Sequence, residues 1–554
     1  MLGSFRGPLE ESRRAFTSVF TNPNLRRVEI SWGGTVSAYW MFIVTLAFYA
    51  YERGGPGAVG LVGLLRLLPA FFAAPFGAML GDRYPRERVI VGINVARSLT
   101  IAGAALAAFT NAPAGIVYGL ASLVGLLQST FRPTQAALLP LLARTPLELT
   151  AANLVLTTVE SVGLFIGPAA GGLLLAATGT DTVFALTAGM FLLGALLLAG
   201  VRADRAVEPI ALRSAFLDEA FAGFRTVLRD GRLRLIIGLY GFQTLAAGAL
   251  NVLVVVLALE VLDLGKAGIG FLNSAIGVGG LLGGLAAVAL LAHPRLASGF
   301  GLGLVLAGTP IALIAVLPHT GPALVLLGLV GLGITIVDVA GLTLLQRAVP
   351  DEVLTRVMGV VQSVFVGTLG LGAILAPALI DGLGNRGALA ATGAALPIVA
   401  LLAWARLRAL DASVASTPPH LDLLRRISIF RPLPAATLEQ LARELRAVHV
   451  PAGEEIVRQG EHGDSFYIVA EGEVDVRVDG RAVEPLRAGA SFGEIALLRD
   501  VPRTATVTAR TDVDLLALER DEFITAVTGH PDSAKVAHAV IASRVGSLPS
   551  REPV

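Results

Sequence analysis

Apolar runs of membrane-crossing length recur along the first three quarters of the chain. Separated by polar breaks, they run over 28–51, 57–80, 88–109, 114–143, 149–178, 182–201, 233–262, 267–292, 298–318, 321–346, 353–381 and 387–409. A membrane helix needs about 20 mostly apolar residues, so the pattern predicts twelve spans. Gly and Pro punctuate them freely, as membrane helices tolerate, and small residues let helices pack closely. After residue 420 the period changes. Residues 421–447 read as an amphipathic helix. Strand-like alternation follows at Ser465–Val469, Glu473–Val478, Thr504–Ala509 and Asp514–Leu518, with turns at Gly453, Gly460, Gly463, Gly472 and Gly480. Many short strands with spaced glycines predict a small antiparallel barrel or jelly roll. Residues 521–528 and 532–545 read as helical again.

Charge orients the spans. With the N-terminus inside, the inside segments hold Arg13, Arg14, Arg26, Arg27, the loop Asp82–Arg88, Arg144, the connector 202–232, Arg347, Arg356, Arg406 and Arg408. The outside loops keep Arg53, Lys266 and Arg386. The positive-inside rule places both ends in the cytoplasm of a multi-pass protein of the cytoplasmic (inner) membrane. The polar segment 1–27 has no early apolar core and predicts no cleavable signal, so the first span would drive insertion. The connector spaces Phe216, Leu217, Ala220, Phe221, Phe224 and Leu228 as an amphipathic interfacial helix. It divides six spans from six. Pro146-Leu147-Glu148 and Pro350-Asp351-Glu352 open the fifth and eleventh spans, and Gly163 matches Gly367 at the same offset. This is a weak repeat of two halves related along the membrane normal.

Composition sharpens the division. Of the 554 residues, 54% are hydrophobic and 15% charged. An ordinary soluble chain is roughly a quarter charged, which excludes a soluble enzyme throughout. From residue 420 onward, 37 residues are charged, against 48 in all that precedes. A net charge of +1 attracts no nucleic acid, and zero Cys excludes disulfides and thiolate chemistry. The seven His show no ligand spacing. No metal site, cofactor or catalytic constellation is expected, so the chain does not read as an enzyme.

The loop after the second span runs Gly77-Ala78-Met79-Leu80-Gly81-Asp82-Arg83-Tyr84-Pro85-Arg86-Glu87-Arg88, and the fifth span carries Gly163-x-x-x-Gly167-Pro168-x-x-Gly171-Gly172. With twelve spans and a central connector, residues 1–410 resemble the major facilitator superfamily, and its drug and metabolite exporters in particular. The resemblance implies that Asp82, Arg83 and Arg86 form a latch closing the cytoplasmic side against the start of the eleventh span near Pro350. It also implies that the Gly/Pro run is the motif of exporters and antiporters. The matching stretch of span eleven (Leu371, Gly372, Leu375, Ala376) does not repeat the full run. Ionisable residues inside spans are costly and mark pathways or fixed pairs. Glu160, Asp338, Arg132, Arg66 and Arg97 are the candidates, with Glu160 and Asp338 for proton coupling or cationic-substrate binding and Arg132 as charge partner. A fixed interhelical ion pair is the competing reading.

The tail contains Gly453-x-x-Ile456-x-x-x-Gly460-Glu461-x-Gly463-Asp464-x-Phe466-Tyr467-Ile468-Val469-x-x-Gly472. It then contains Phe492-Gly493-Glu494-Ile495-Ala496-Leu497-Leu498-x-x-x-Pro502-Arg503-Thr504-Ala505-Thr506-Val507. Both runs resemble the cyclic nucleotide-binding domain family over 420–545, the second its phosphate-binding cassette. The resemblance implies a site of Phe492, Gly493, Glu494, Ile495, Ala496, Arg503, Thr504 and Ala505. Arg503 suits a cyclic phosphate as a two-pronged donor, backbone N–H groups near Gly493–Ala496 can add to it, and Glu494 suits the ribose 2′-hydroxyl. Thr504 is compatible with cAMP or cGMP, cAMP being favoured.

The expected organisation is therefore an N-terminal segment 1–27, a first membrane half 28–201, the connector 202–232, a second half 233–410, a linker 411–419, a nucleotide-binding domain 420–545 and a tail 546–554. The expected fold is a membrane all-α major facilitator fold plus a soluble C-terminal β-roll with flanking helices. The expected function is a secondary active efflux antiporter of a small organic or amphipathic solute, coupled to protons and regulated by cyclic nucleotide. A cyclic-nucleotide-binding membrane receptor or anchor is the alternative.

Overall fold

The computed structural model describes residues 19–143, 146–201, 224–291, 295–349, 351–415 and 420–546. The chain divides into two compact units, Met1–Asp411 and Ala412–Val554.

The first unit is helical: α1 Pro23–Arg83, α2 Arg86–Phe109, α3 Ala114–Leu142, α4 Pro146–Ala177, α5 Thr180–Leu198, α6 Gly231–Val256, α7 Gly265–Leu291, α8 Leu296–Val316, α9 Thr320–Ala348 and α10 Asp351–Ala415. A single π-helical turn, Leu257–Val261, extends α6. Among the described residues, ten helices are long and apolar enough to cross a membrane. Two of them are double. α1 breaks at Gly54 and Gly55, the latter at φ 61°, and α10 breaks at Gly384, at φ 71°. A left-handed backbone is cheap for glycine alone, so each long helix turns back there as two arms. Twelve apolar arms result, the number the hydropathy pattern predicts.

Glycines decide which arms touch. A Cβ on Gly163 would lie 2.6 Å from Val36 Cγ1, one on Gly167 2.7 Å from the Ser37 carbonyl oxygen, and one on Gly171 3.0 Å from Met41 Cα. These three sit at one-turn intervals, so α4 lies directly against the first arm of α1. Gly172, on the adjoining face, meets Gly270 of α7. In the second half, Gly248 of α6 and Gly372 of α10 each press on the other helix's backbone. The two halves thus repeat the same helix pairing. The expected counterpart of Gly163 does not share it: nothing lies within 4 Å of a Cβ on Gly367.

The last arm runs to Ala415, into the predicted linker. Its continuation has a cause at Asp411, whose carboxylate accepts from the backbone N–H of Ala297 and Ser298, both at 2.8 Å, and from the Ser298 hydroxyl. It caps the N-terminus of α8 from 113 residues away, satisfying donors that a helix end leaves open. Linker residues 416–419 lie outside the described residues, as do 1–18, 547–554 and connector residues 202–223 with Phe216, Leu217, Ala220 and Phe221. In the rest of the connector Phe224 and Leu228 are exposed and Val227 is buried.

The second unit contains α11 Leu421–Arg426, α12 Ala435–Glu444, β1 Arg446–Val450, β2 Glu455–Val457, β3 Ser465–Glu471, β4 Glu473–Val478, β5 Arg481–Ala482, β6 Leu486–Arg487, β7 Ser491–Phe492, α13 Glu494–Arg499, β8 Thr506–Ala509, β9 Val513–Glu519, α14 Arg520–Thr528 and α15 Pro531–Gly546. Two antiparallel sheets form, ordered β1-β9-β3-β7 and β2-β8-β4-β5, with β6 paired to β4. The single helix expected over 421–447 is two helices and a strand. Pro432 and Pro434 interrupt it, Pro434 standing immediately before α12. Phe430, Phe466 and Phe523 knit the flanking helices to one sheet, with Phe466 and Phe523 stacked at 4.5 Å. Gly453, Gly460, Gly472 and Gly480 turn the chain at φ between 76° and 92°.

Candidate functional site

In the second unit the cassette closes around one guanidinium. Gly493, at φ 97°, turns the chain from β7 into α13 and sets Glu494 as the first helical residue. Arg503 follows in the loop leading to β8. Its backbone is pinned to the turn after β2: its N–H donates to the Glu461 carbonyl at 2.8 Å, and its carbonyl accepts from Gly460 N–H at 2.9 Å. The Arg503 side chain is 6% exposed. Its Nη1 donates to the Gly493 carbonyl at 3.2 Å and its Nη2 to the Ser465 carbonyl at 2.7 Å. Gly463 is a glycine for a reason other than its turn, because a Cβ there would stand 2.5 Å from Arg503 Nε. The Tyr467 ring lies 5.8 Å from the guanidinium and stacks on Phe492 at 5.1 Å. Burial pulls the Arg503 pKa down, while Tyr467, Asp464 and Glu494 pull it back up. A buried cation so held gains from a bound anion.

Glu494 is 1% exposed. Its Oε1 accepts from Arg544 Nη1 at 2.7 Å, and its Oε2 is buried and accepts nothing. One acceptor is therefore left for a hydroxyl. Ala496 is buried beside it, and Ile495, Thr504 and Ala505 are half-buried. All eight residues expected at the site fall in this one cassette. Arg544 does not belong to it and was missed. It sits in the last turn of α15, 50 residues from Glu494, and no local pattern distinguishes it from a solvated helix-end arginine. Ser465 and Tyr467 of β3 also meet the guanidinium, and the spacing of their run gives no sign of it.

The described intramembrane charges have different partners. Asp338 of α9 accepts from the Tyr240 hydroxyl of α6, and Tyr240 stacks on Phe365 of α10 at 6.3 Å. Glu160, on α4 in the other half, is half-buried and has a partner. Arg66 reaches the Tyr39 hydroxyl at 3.5 Å. Arg97 is 1% exposed; it donates to Gln128 Oε1 at 2.5 Å and stands 4.4 Å from the Phe131 ring centre. It is held by α3 and aromatic rings. The side chains of Arg132, Asp82 and Arg83 and the surroundings of Gly77 lie outside the described residues. Arg86 is described, and its Nη1 donates to the Ala137 carbonyl at 2.7 Å. Gly163, Gly167, Pro168, Gly171 and Gly172 form the packing face of α4 described above. A tie between the halves escaped the sequence reading. Glu260 accepts from Tyr51 and from Asn385 Nδ2, and Lys266 pairs with Glu52 at 3.9 Å.

The family model of the Major Facilitator Superfamily matches residues 34–366. The chain belongs to the Major Facilitator Superfamily. The model of the cyclic nucleotide-binding domain matches residues 447–530, so this facilitator carries that domain at its C-terminal end. Two curated relatives match the same end. A cyclic nucleotide-gated potassium channel of Rhizobium etli is 38% identical over 128 residues, 23% of this chain and 36% of the channel. One of Mesorhizobium japonicum is 40% identical over 129 residues, again 23% and 36%. The facilitator thus spans about a third of the length of the relatives it matches. Among solved structures, the regulatory domain of Toxoplasma gondii PKA with cAMP is 30% identical, with a TM-score of 0.22, covering 24% of this chain and 52% of that one. The catabolite activator protein of Thermus thermophilus is 29% identical, with a TM-score of 0.20, covering 22% and 59%. Neither matched family of this facilitator is an enzymatic one.

Proposed function

We propose that this facilitator is a secondary active efflux antiporter of a small organic or amphipathic solute, driven by protons and regulated by cytosolic cyclic nucleotide. It stands in the cytoplasmic membrane with both termini inside. The observation that carries the regulatory half is the Arg503–Glu494 pair: a buried fork of donors beside a buried carboxylate with one acceptor free. A cyclic phosphate carries one negative charge and suits the fork, and the ribose 2′-hydroxyl suits the free oxygen. Phe492, Gly493, Ile495, Ala496, Thr504 and Ala505 would shape the pocket, and cAMP is favoured over cGMP. Arg544 would report occupancy to α15, because it holds the other Glu494 oxygen.

In the membrane unit, Glu160 and Asp338 would serve coupling or substrate binding with Arg132 and Arg66. Asp82, Arg83 and Arg86, with Gly77, would form the cytoplasmic latch. The glycine face of α4 supports the exporter reading, because it lets two helices shift against each other at backbone distance. Coupling between nucleotide and transport is reciprocal: a nucleotide that biases transport states must have its own affinity changed by substrate. The test is a proton-driven flux screen in proteoliposomes of the purified full chain, with and without cAMP. Flux that changes with cAMP supports the reading. Flux indifferent to cAMP returns the tail to a receptor or anchor role, and the absence of flux for every solute screened counts against transport.

A further inference from the structure

Four carboxylates are fully buried among the described residues: Glu29, Glu148, Asp411 and Glu494. Three have donors. Glu148 accepts from Asn22 Nδ2 at 3.0 Å, Asp411 caps α8, and Glu494 pairs with Arg544. Glu29, 2% exposed in the first arm of α1, differs: both its oxygens are buried and neither accepts a hydrogen bond.

Among the described residues no charged group donates to it. On its own arm Arg26 and Arg27 are exposed, and Arg27 donates to the Gly200 carbonyl at 2.8 Å. From α2, Arg97 is taken by Gln128 and the Phe131 ring. On α3 the buried polar groups near this end are the neutral Thr134 and Gln135, and the side chain of Arg132 is outside the described residues. On α4, Glu148 is held by Asn22, and Glu160 has a partner. On α5 the one acidic group, Asp181, stands in the first turn, whereas Gly200 just past the other end is what meets Arg27. An unpaired, unsolvated anion is the costliest arrangement a carboxylate can take, and the neutral acid avoids that cost.

Glu29 also heads a line of unsatisfied groups. Trp32, one turn on, leaves its Nε1 without an acceptor and stacks on Phe131 at 5.6 Å, and Phe131 carries the Arg97 guanidinium. Arg97 Nε and both polar side-chain atoms of Asn94, one turn before it, are likewise buried and unpartnered. Asn94 closes on α1 near Gly194, whose Cβ position has Ser31, Thr35 and Asn94 within 4 Å. Buried polar groups are normally satisfied. Several unsatisfied ones along α1 and α2 mark a layer that a second arrangement of the helices would serve.

We propose that Glu29 is a proton-carrying site in the first membrane half: the side chain is occluded and protonated in this arrangement, and it releases its proton when α1 moves against α3 and α4. The proposal rests on the transport reading above and adds to it a site apart from Glu160 and Asp338.

The facilitator has no Cys, so paired labels can be placed cleanly. Spin labels at Thr110→Cys and Thr320→Cys, both exposed ends of helices in opposite halves, would report the separation of the halves in the full chain in liposomes at acid and alkaline pH. Infrared spectroscopy of the same samples reads the carbonyl stretch of a protonated carboxylic acid. The expected result is a buried-acid band in the wild type that Glu29→Gln removes, together with a pH-dependent label distance that Glu29→Gln locks at its acid value and Glu29→Asp restores. A thermal melting transition of the membrane unit unchanged from wild type would confirm that the variants are folded. A Glu29→Gln protein that keeps the band, or keeps the wild-type pH response, overturns the proposal while leaving transport intact. A band lost on Glu29→Gln with label distances that never change supports the proton site and instead sinks the transport reading.

Discussion

Replacing Arg503 by Lys keeps the charge and removes the fork. In the structure the two terminal nitrogens already point to separate acceptors, Gly493 O at 3.2 Å and Ser465 O at 2.7 Å. The group is therefore planar, oriented and fixed at both tips before any ligand arrives. A lysine ammonium is a point donor and cannot hold both carbonyls and two phosphate oxygens at once. Losing one of two charge-assisted hydrogen bonds costs about 1.5–3 kcal/mol. At about 1.4 kcal/mol per decade this is a roughly ten- to hundredfold weaker affinity for cAMP. Arg503→Glu, which places an anion against the phosphate, should abolish binding. Calorimetric titration of cAMP into the purified full chain measures both. Thermal unfolding of the apo proteins separates this loss from a loosened loop, because Arg503 also anchors the turn at Gly460–Glu461 through its backbone, which the substitution leaves in place. Affinity within twofold of wild type for Arg503→Lys would refute the fork, whatever the fate of the Glu variant.

Arg544→Ala leaves both Glu494 oxygens buried without a donor. Breaking a fully buried pair costs about 3–5 kcal/mol, and because Arg544 is 36% exposed the expected loss is only about 1 kcal/mol. It should appear as weaker cAMP binding in calorimetry, and affinity equal to wild type would refute the role given to Arg544. Gly167→Val forces atoms against the Ser37 carbonyl and Trp40 Cβ. It should destabilise the membrane unit by about 1–3 kcal/mol, read as a lower melting temperature with cAMP affinity unchanged. His449 bonds Asp514 directly across the β1–β9 pair, which raises its pKa above the ordinary 6.5. The protonated form is the one the fold favours. Its stabilisation is complete below 6.5 and fades as pH rises through the elevated value. Hydrogen exchange of β1 should differ between wild type and His449→Gln at acid pH and converge at alkaline pH. Glu160→Gln and Asp338→Asn should each weaken flux driven by a pH gradient, and wild-type flux in both would end the coupling assignment.

The twelve apolar arms were legible because a bilayer imposes length and composition on every segment that crosses it, wherever its neighbours lie. The cassette was legible for a related reason. Gly493, Glu494 and Arg503 lie within a dozen residues, so chain geometry alone brings them together. The 421–447 helix was misread because its apolar spacing outweighed Pro432 and Pro434 in a reading by period alone.

Contacts that span the sequence were not legible. Arg544 reaches Glu494 over 50 residues, and Asp411 reaches Ala297 over 114. Each lies near a helix end, with nothing in the surrounding sequence to name so distant a partner. Gly163 and Gly367 occupy matching positions, yet only the first is pressed against another helix. Glu29 lies inside the first apolar run, two residues from Arg27, and nothing local sets it apart until packing buries it and the arginine meets Gly200. By itself, the sequence determined what each segment is made of: which segments are long and apolar enough to cross a bilayer, where the composition changes, and which short run resembles the phosphate-binding cassette. The tertiary structure decided which charges are paired and which are stranded. Burial and partnership depend on neighbours that only folding brings within a few ångströms.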